Sequence, residues 1–405
     1  MSSQCTQIAR PMLSEQRRKT LGNMYSLVGT HSAVKLCRWQ KSMLRGRGGC
    51  YKWTMYGIRS HQCMEATPSM ACANKCTFCW RLNTNPTATE WKWDIDDPEK
   101  LVEGMVTQHK ALVHEAKGMA GVQLEAAAEA MQPKHCALSL VGEPIIYPRI
   151  NEFLHKLHKE GISTFLVNNG QFPEAIDAVA PVTQLYLSVD GPTREIMKEL
   201  DRPVFPDFWE RFNRSVVGMS KKRFRRVFRL TMVEHINMED AHVEHYKRIF
   251  EEGCPHFIEL KMLTPAFSGR KTPLRIKNVP TFDRLVKFAK KLCDATGDGA
   301  TYHLACAHKH SGCLLLARKE FRIEGKWHTW IDFDRFNSLV LDEEKKHSID
   351  AMDYLLPTPD WALYGAQEDE GFDPQQIRHI TTKRKKHLES VSAAADSIPV
   401  NNSTS

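Results

Sequence analysis

The sequence predicts an α/β fold, a partial (β/α)6 TIM-like barrel with N-terminal and C-terminal extensions. From about residue 65 to 265, short apolar β-rich runs alternate with amphipathic stretches of helical period, which is typical of βα units on a parallel sheet. Six such units, against the eight of a closed TIM barrel, indicate an open barrel with a wider mouth. The six predicted strands are Ser69–Cys72, Ala137–Val141, Thr164–Asn168, Gln184–Val189, Val227–Val233 and Phe257–Met262.

Helix signals lie between these strands. Asp97, Pro98 and Glu99 are an N-cap, a first-turn proline and a first-turn acid, which together predict a helix start. Apolar residues then recur at helical spacing, as they do over 150–158. After the sixth strand we predict a helix at Thr281–Ala295 and strands at Tyr302–Ala305, Cys313–Ala317 and Trp327–Phe333.

Length and composition suit a soluble intracellular protein. The 405 residues, 42% of them hydrophobic, can bury one large core or two small ones. No apolar run approaches transmembrane length, so we expect no membrane association. Twelve cysteines without an N-terminal signal-peptide segment indicate reduced thiols in the cytoplasm or mitochondria rather than secretion.

The net charge of +8 is concentrated in four basic clusters. Such clusters can neutralise a phosphate backbone, so we expect an RNA or DNA partner. The alternative for each cluster is a solvated helix face or tail. The clusters are Arg17–Lys19; Lys35, Arg38, Lys41, Arg45 and Arg47; Lys221–Arg226; and Lys383–Lys386.

Three cysteines after the first predicted strand, Cys72, Cys76 and Cys79, have the spacing CxxxCxxC. Three thiolates so spaced can hold an iron–sulfur cluster and leave one iron open to a substrate or cofactor. The alternative is an incomplete structural zinc site. Its nearest further ligands lie more than two hundred residues downstream, where they could also form a metal cluster of their own or a polar loop: Cys306, His308, His310 and Cys313.

Polar residues at other strand ends are candidates for the same rim of the barrel. A carboxylate and exposed carbonyls after a strand suit an ammonium donor, although each residue could instead cap a turn. The candidates are Gly142, Glu143, Pro144, Asn168, Asn169, Ser188, Asp190 and Lys261.

A second cysteine set lies upstream, with Cys37, Cys50 and Cys63 each thirteen residues apart. If the chain between them folds over the barrel mouth, the three thiolates could hold a second cluster. The alternative is three buried free cysteines.

The CxxxCxxC loop, with Phe78 before its last cysteine, and the Gly-Glu-Pro element resemble the radical S-adenosylmethionine (SAM) superfamily. In that superfamily the open iron binds SAM, and one electron releases a 5′-deoxyadenosyl radical. The resemblance implies SAM bound near Gly142, Glu143 and Pro144, with Asn168, Ser188 and Asp190 as further cofactor contacts.

Stretches around the second cysteine set resemble the 4-demethylwyosine synthase family of wybutosine biosynthesis. The resemblance runs from about residue 29 to 338. It rests on the stretches 34–39, 42–52, 56–58, 61–65, 67–69, 84–86, 90–93, 134–144, 181–186, 201–203, 207–209 and 330–332.

The family resemblance implies an activity and its reactants. Such an enzyme, a carbon–carbon lyase with two [4Fe–4S] clusters, condenses pyruvate with N1-methylguanosine 3′ of the anticodon in tRNA for phenylalanine. The second cluster would bind pyruvate, and Lys52 would form a Schiff base with it; the alternative for Lys52 is a phosphate contact. Because the chain has no room for the flavodoxin-like domain of eukaryotic members, it resembles the short form, with a separate flavodoxin or reductase as electron donor.

The expected organisation follows from composition, from the βα pattern and from the range of the resemblance. Residues 1–34 would be a flexible extension or targeting segment, 35–340 the catalytic domain, 341–365 a peripheral segment and 366–405 a flexible tail. Within the catalytic domain, 35–65 would hold the second cluster, 66–265 the barrel core and 266–340 the C-terminal elements.

Two other functions stay open. One is a non-catalytic iron–sulfur or zinc protein that binds RNA through the basic clusters. The other is a radical SAM enzyme with a protein or small-molecule substrate, which Arg45-Gly46-Arg47 beside the second cysteine set disfavours.

Overall fold

The computed structural model describes residues 10–79, 85–265, 272–297, 301–366 and 371–377. Its strands are β1 (Ser26–Val28), β2 (Ser32–Lys35), β3 (Cys63–Thr67), β4 (His135–Leu138), β5 (Ser163–Asn168), β6 (Gln184–Ser188), β7 (Arg226–Met232), β8 (Phe257–Met262), β9 (Tyr302–His308), β10 (Cys313–Arg318), β11 (Arg322–Ile323), β12 (Lys326–Trp327), β13 (Trp330–Ile331) and β14 (Leu355–Leu356). Its α-helices are α1 (Glu15–Gly22), α2 (Arg38–Met43), α3 (Tyr51–Tyr56), α4 (Pro98–Ala116), α5 (Leu124–Ala130), α6 (Ile150–Lys159), α7 (Pro173–Ala178), α8 (Arg194–Asp201), α9 (Phe208–Ser220), α10 (Val243–Gly253), α11 (Phe282–Ala295) and α12 (Phe333–Val340).

The described residues contain a ten-stranded sheet in the order β1-β2-β3-β4-β5-β6-β7-β8-β10-β9. Strands β3 to β8 are parallel and follow chain order. The antiparallel pairs β1–β2 and β9–β10 extend the two edges. The predicted α/β fold with an open six-stranded parallel core is therefore confirmed.

Helices between the parallel strands cover the outside of the sheet, where α4 packs against α6, α7 against α9, and α9 against α10. The predicted start of α4 is confirmed, because the Asp97 side chain accepts hydrogen bonds from the backbone N–H groups of Glu99 and Lys100. The apolar face of α6 is buried, including Phe153 and Leu157. Amphipathic helices thus bury one face against the strands, as their period predicts.

The first parallel strand was predicted wrongly at Ser69–Cys72; it is Cys63–Thr67. Pro68 lacks an N–H for a strand ladder. The Thr67 hydroxyl also donates to the carbonyl of Ser69 at 2.7 Å and accepts from its N–H at 3.2 Å. These bonds bend the chain after Thr67, so the following apolar run crosses the end of the sheet.

The last predicted strand, Trp327–Phe333, is also corrected. Lys326–Trp327 pairs with β11, and Trp330–Ile331 pairs with β14. Asp332 then caps α12 by accepting from the backbone N–H of Arg335 at 2.9 Å. A local cap therefore overrides the β propensity of this aromatic stretch.

Among the described residues, no helix combines the length and the apolar character needed to cross a bilayer.

Buried neutral histidines predict a loss of stability in acid. His158 is hydrogen-bonded to the Thr164 hydroxyl at 2.8 Å, and burial lowers its pKa to about 3. Between pH 6.5 and 3 the unfolded chain binds a proton that the folded chain refuses, so stability is full above pH 6.5 and falls below it. From pH 7.5 to 4.5 we expect this residue to remove about 3 kcal/mol from the free energy of unfolding.

Urea unfolding of His158→Gln at the two pH values tests this expectation, since the variant should lose about 3 kcal/mol less than the native chain. His347→Gln is the matched control, because His347 is exposed. Equal pH sensitivity in both variants would contradict the assignment.

Candidate active site

The CxxxCxxC loop follows the carboxyl end of β3 and is fixed on two sides. Cys72 donates its N–H to the carbonyl of Pro86 and accepts at its own carbonyl from Ala88. Thr77 donates its N–H to the carbonyl of Leu200 at the end of α8. These backbone hydrogen bonds therefore hold the cysteine loop in place without a disulfide.

The three cysteines of this loop share one environment. Burial raises the pKa of Cys76, and the Asp201 carboxylate and the thiols of Cys79 and Cys72 raise it further. All three cysteines are free thiols. The structure therefore brings the predicted set together and adds Asp201, which the sequence prediction missed.

The predicted Gly-Glu-Pro element lies against the same loop. Gly142 has φ +71°, and a Cβ there would lie 2.0 Å from the carbonyl oxygen of Ser69. The N–H of Glu143 donates to the carbonyl of Ala71 at 2.7 Å, and the carboxylate accepts from the N–H of Asn169. The Asn169 amide in turn donates to Sγ of Cys72 at 3.6 Å. Glycine is needed here because two backbone segments meet with no room for a side chain.

The other predicted rim residues differ in what they contact. The Asn168 amide donates to the carbonyl of Tyr186 at 2.6 Å and accepts from Gly170, so it ties strand ends together. Asp190 accepts from the N–H of Thr231 at 2.8 Å, and burial raises its pKa to about 6. Ser188 ends β6 and is half-buried. A role of these three in cofactor binding stays a prediction, as does that of the buried Pro144.

The second cysteine set also converges, but at the opposite end of β3. Cys63 opens β3 and Cys37 follows β2, which runs antiparallel beside it with Lys35 opposite Glu65. Burial raises the pKa of Cys37, and Glu65, Cys50 and Cys63 add to the rise. Over the length of β3 the two ends are about 13 Å apart.

Cys37 and Cys50 each precede a short helix. Sγ of Cys37 accepts from the N–H of Gln40 at 3.4 Å at the start of α2. Sγ of Cys50, before α3, accepts from the Ser60 hydroxyl at 3.4 Å. The segment therefore begins beside the amino half of β3, where Lys35 pairs with Glu65, and its Trp39 ring centre lies 5.9 Å from that of His308 at the end of β9.

Charged side chains line the barrel interior near the second cysteine set. Lys52 on α3 is 8% exposed, and its Nζ lies 5.6 Å from the Tyr186 ring centre. Burial raises the pKa of Glu65 to about 7, against the opposing charges of Lys52, Lys35 and Arg229. The Tyr56 hydroxyl donates to Glu259 at 2.7 Å. Polar and charged side chains from α3, β3, β7 and β8 therefore line the interior.

Sequence reasoning missed Glu65, Arg229 and Glu259. Each is a charged residue flanked on both sides by buried apolar residues of its strand. Such a residue on a parallel strand faces the barrel interior. A charged residue between apolar neighbours in a predicted strand is therefore the sequence signal that could have identified these three positions.

Residues 371–377, part of the expected flexible tail, fasten α3 from outside. Asp373 accepts from the Trp53 indole N–H at 2.9 Å, and the Gly371 carbonyl accepts from the Thr54 hydroxyl at 2.7 Å. Phe372 and Asp373 are buried. This segment is therefore packed, and it steadies the helix that carries Lys52.

A single zinc ion does not fit the cysteine sets. Zinc ligands lie about 2.3 Å from the ion, which places their sulfurs roughly 4 Å apart. Among the described residues, the one set of three His, Cys or acidic ligand atoms all within 4.8 Å is Glu234, His235 and Glu239. Thiolates of an iron–sulfur cluster bind different irons and lie farther apart. The geometry thus disfavours zinc at both cysteine sets and at the Cys306–Cys313 turn.

The basic clusters are only partly available to a nucleic acid. Arg225 is fully buried and donates to Gln184 and to the carbonyl of Thr329. Arg226 is also buried, so the cluster at 221–226 is smaller than expected. Arg17–Lys19 is largely exposed. The cluster at 383–386 lies outside the described residues, as do most of the tail and residues 1–9 of the N-terminal extension.

Two families match the chain. Residues 67–246 match the radical SAM superfamily, and residues 252–318 match the family described as wyosine base formation. The first match covers the CxxxCxxC loop and the parallel strands β4 to β7, and the second covers β8 to β10.

Several curated relatives are similar over most of the chain. It is 48% identical over 383 residues to the S-adenosyl-L-methionine-dependent tRNA 4-demethylwyosine synthase TYW1 of Mus musculus, covering 94% of this chain and 52% of that protein. It is 50% identical over 361 residues to the Oryza sativa subsp. japonica synthase, covering 89% and 54%. The chain thus spans about half the length of the curated relatives it matches.

Two solved structures are similar in fold. One is TYW1 with a lysine–pyruvate adduct bound, with a TM-score of 0.66 and 30% identity. The other is an archaeal TYW1, with a TM-score of 0.61 and 28% identity. Each comparison covers 78% of this chain and 99% of the solved one.

Proposed function

We propose, because the chain belongs to the tRNA 4-demethylwyosine synthase family of radical SAM proteins, that it condenses N1-methylguanosine in tRNA with pyruvate to form 4-demethylwyosine. The expected position is 3′ of the anticodon of phenylalanine tRNA. The observation that supports this most is the barrel interior, where the buried Lys52 acts on Cys63 of one converging cysteine set at the start of β3, while a second converging set of three cysteines follows the other end of the same strand. A carbon-transfer reaction between two bound reactants needs such a shared interior.

The donor sets fit two iron–sulfur clusters. We assign one [4Fe–4S] cluster to Cys72, Cys76 and Cys79, and a second to Cys37, Cys50 and Cys63. Three free, mostly half-buried thiols in each set leave one iron open.

SAM fits beside the first set, where Glu143 and the backbone around Gly142 adjoin Cys72. When bound with a reduced cluster, SAM supplies a 5′-deoxyadenosyl radical that abstracts hydrogen. The residues of the chain hold its charged groups and exclude water from the interior.

Lys52 is the residue we assign to pyruvate. Its Nζ would condense with C2 of the keto acid, and the carbonyl oxygen would leave as water. The solved relative with a lysine–pyruvate adduct supports this assignment. The N1-methyl carbon, after losing one hydrogen atom, would bond to C2, and the C1–C2 bond would break to release the carboxyl group as carbon dioxide with return of one electron to the electron carrier. The exocyclic amine of the guanine would then displace Nζ of Lys52 from C2 and close the third ring.

The remaining reactants are also part of the proposal. Exposed basic residues, including Arg17–Lys19, suit the tRNA phosphates. A separate flavodoxin or reductase would supply electrons, in the cytoplasm or in mitochondria.

Reconstituted, reduced protein incubated with methylguanosine-containing tRNA, SAM and pyruvate tests the activity. We expect a tricyclic nucleoside by mass, dependent on pyruvate, together with deoxyadenosine, and none from tRNA that lacks the methyl group. Iron should reach about eight atoms per chain. Deoxyadenosine without the tricyclic product would overturn the substrate, and zinc in place of iron would overturn the radical chemistry.

A further inference from the structure

Two cations inside the barrel have no anionic partner in contact. Among the residues the structure describes, neither the Arg229 guanidinium nor the Lys52 ammonium forms a hydrogen bond or an ion pair within 4.0 Å. Arg229 lies in the middle of β7 between the buried Phe228 and Leu230. Its Cζ is 5.9 Å from the Tyr51 ring centre. Lysine and arginine held inside a protein are normally paired.

The acids nearby do not neutralise this interior. Arg229 acts electrostatically on Tyr51, Glu259 and Asp190, and both Arg229 and Lys52 act on Glu65. None of these acids lies within ion-pair distance of either cation. The interior is therefore prepared for an anion that the protein does not supply.

The chemistry of the two cations differs. A guanidinium is a planar fork that matches a carboxylate in two parallel hydrogen bonds. A lysine amine can add to a carbonyl carbon. A 2-keto acid offers both groups on adjacent carbons, and a neutral ketone offers only the second.

We propose that Arg229 binds the carboxylate of the keto acid whose C2 carbonyl condenses with Lys52, and that Arg229 thereby selects keto acids over neutral ketones. This inference rests on the proposed function, and it adds a positioning and specificity residue to it. Tyr51, whose ring centre lies 5.9 Å from Cζ of Arg229, directly precedes Lys52 on α3. Lys52 in turn lies 5.6 Å from the ring centre of Tyr186, which pairs with Val227, two residues before Arg229, so both cations face the same space. The carboxylate of SAM is the other anion of this chemistry, and the experiment separates the two.

Covalent trapping measures the binding without turnover. Lys52 Nζ bonds to C2 and the carbonyl oxygen leaves as water, which gives an imine. Sodium cyanoborohydride then adds hydride to the imine and fixes the ligand on the lysine. Peptide mass after digestion reports how much Lys52 carries pyruvate or acetone at each concentration, in protein reconstituted with both clusters.

The variants are Arg229→Gln, Arg229→Lys and Arg223→Gln. Arg223 is the matched control, because its side chain is 65% exposed and pairs with Asp350 on the surface. With Arg229→Gln, the pyruvate concentration for half-labelling should rise about tenfold to a hundredfold. With Arg229→Lys this concentration should rise less, because the positive charge is kept. With Arg223→Gln it should equal that of the native protein. Labelling by acetone should shift less than about twofold in all of them.

Several results would overturn the proposal. An equal rise in the acetone concentration for half-labelling would mean that Arg229 only maintains the position of Lys52. Unshifted pyruvate labelling, with weaker SAM binding in equilibrium dialysis, would assign the guanidinium to SAM. Normal Lys52 labelling with no shift removes the Arg229 role alone, whereas no Lys52 adduct in native protein removes the Lys52 assignment as well.

Discussion

Cys50→Ala protein is expected to form deoxyadenosine at a near-native rate while its yield of tricyclic nucleoside falls at least about a hundredfold. Cys50 belongs to the cysteine set at the amino end of β3, and the CxxxCxxC loop follows the carboxyl end of that strand. The two ends of β3 are about 13 Å apart. Loss of one thiolate should release the second cluster and leave the SAM site in place. Chromatography of both products from one reaction measures the split.

Two variants bracket this result. Cys76→Ala should lose both products, since it removes a ligand beside SAM. Cys254→Ala should lose neither, because Cys254 follows α10 on the outer layer, where its thiol donates to the carbonyl of Glu251. Iron should fall from about eight to about four atoms per chain in Cys50→Ala. If deoxyadenosine disappears with Cys50, the second set is structural.

Lys52→Arg is expected to lower formation of the tricyclic nucleoside about a thousandfold or more while both clusters are retained. Arginine keeps the positive charge and could still contact a phosphate. Its guanidinium stays protonated at neutral pH, so it cannot condense with a keto acid. The substitution therefore separates covalent chemistry from charge.

The matched control is Lys41→Arg on α2, because Lys41 is an exposed lysine of the nearby basic cluster between Lys35 and Arg47. Its product yield should stay within about twofold of native, as for other surface substitutions. Iron content and deoxyadenosine formation report whether each variant still holds its cofactors. Product within about tenfold of native in Lys52→Arg would favour the phosphate contact instead.

Local sequence predicted most of the fold because most of the parallel strands are largely buried on both faces. Runs such as those in Ser163–Asn168 and Gln184–Ser188 are apolar enough to be distinguished from the amphipathic helices beside them. The strand at Cys63–Thr67 was missed for the opposite reason: Cys63 and Glu65 face the polar interior and break the apolar run. The more apolar stretch after Pro68 drew the prediction instead.

The two cysteine sets differ in how much the sequence could say. The spacing of Cys72, Cys76 and Cys79 keeps them together in any loop. Convergence of Cys37 with Cys63 depends on the antiparallel pairing of β2 with β3, which no spacing rule contains. Because spacing does not show how strands pair, the sequence also did not reveal that Arg229 faces the interior. For the same reason Arg225 was assigned to a surface cluster although it is buried.

The fastening of α3 has a consequence for how the protein is made. Trp53 and its partner Asp373 are 320 residues apart in sequence. At 5–20 residues per second, a ribosome needs roughly 15 to 65 s to pass from one to the other. During that time Cys37, Cys50 and Cys63 have emerged while the helix beside them lacks its outer support. If this set holds the second cluster that we propose, all three of its ligands are made long before the segment that supports α3.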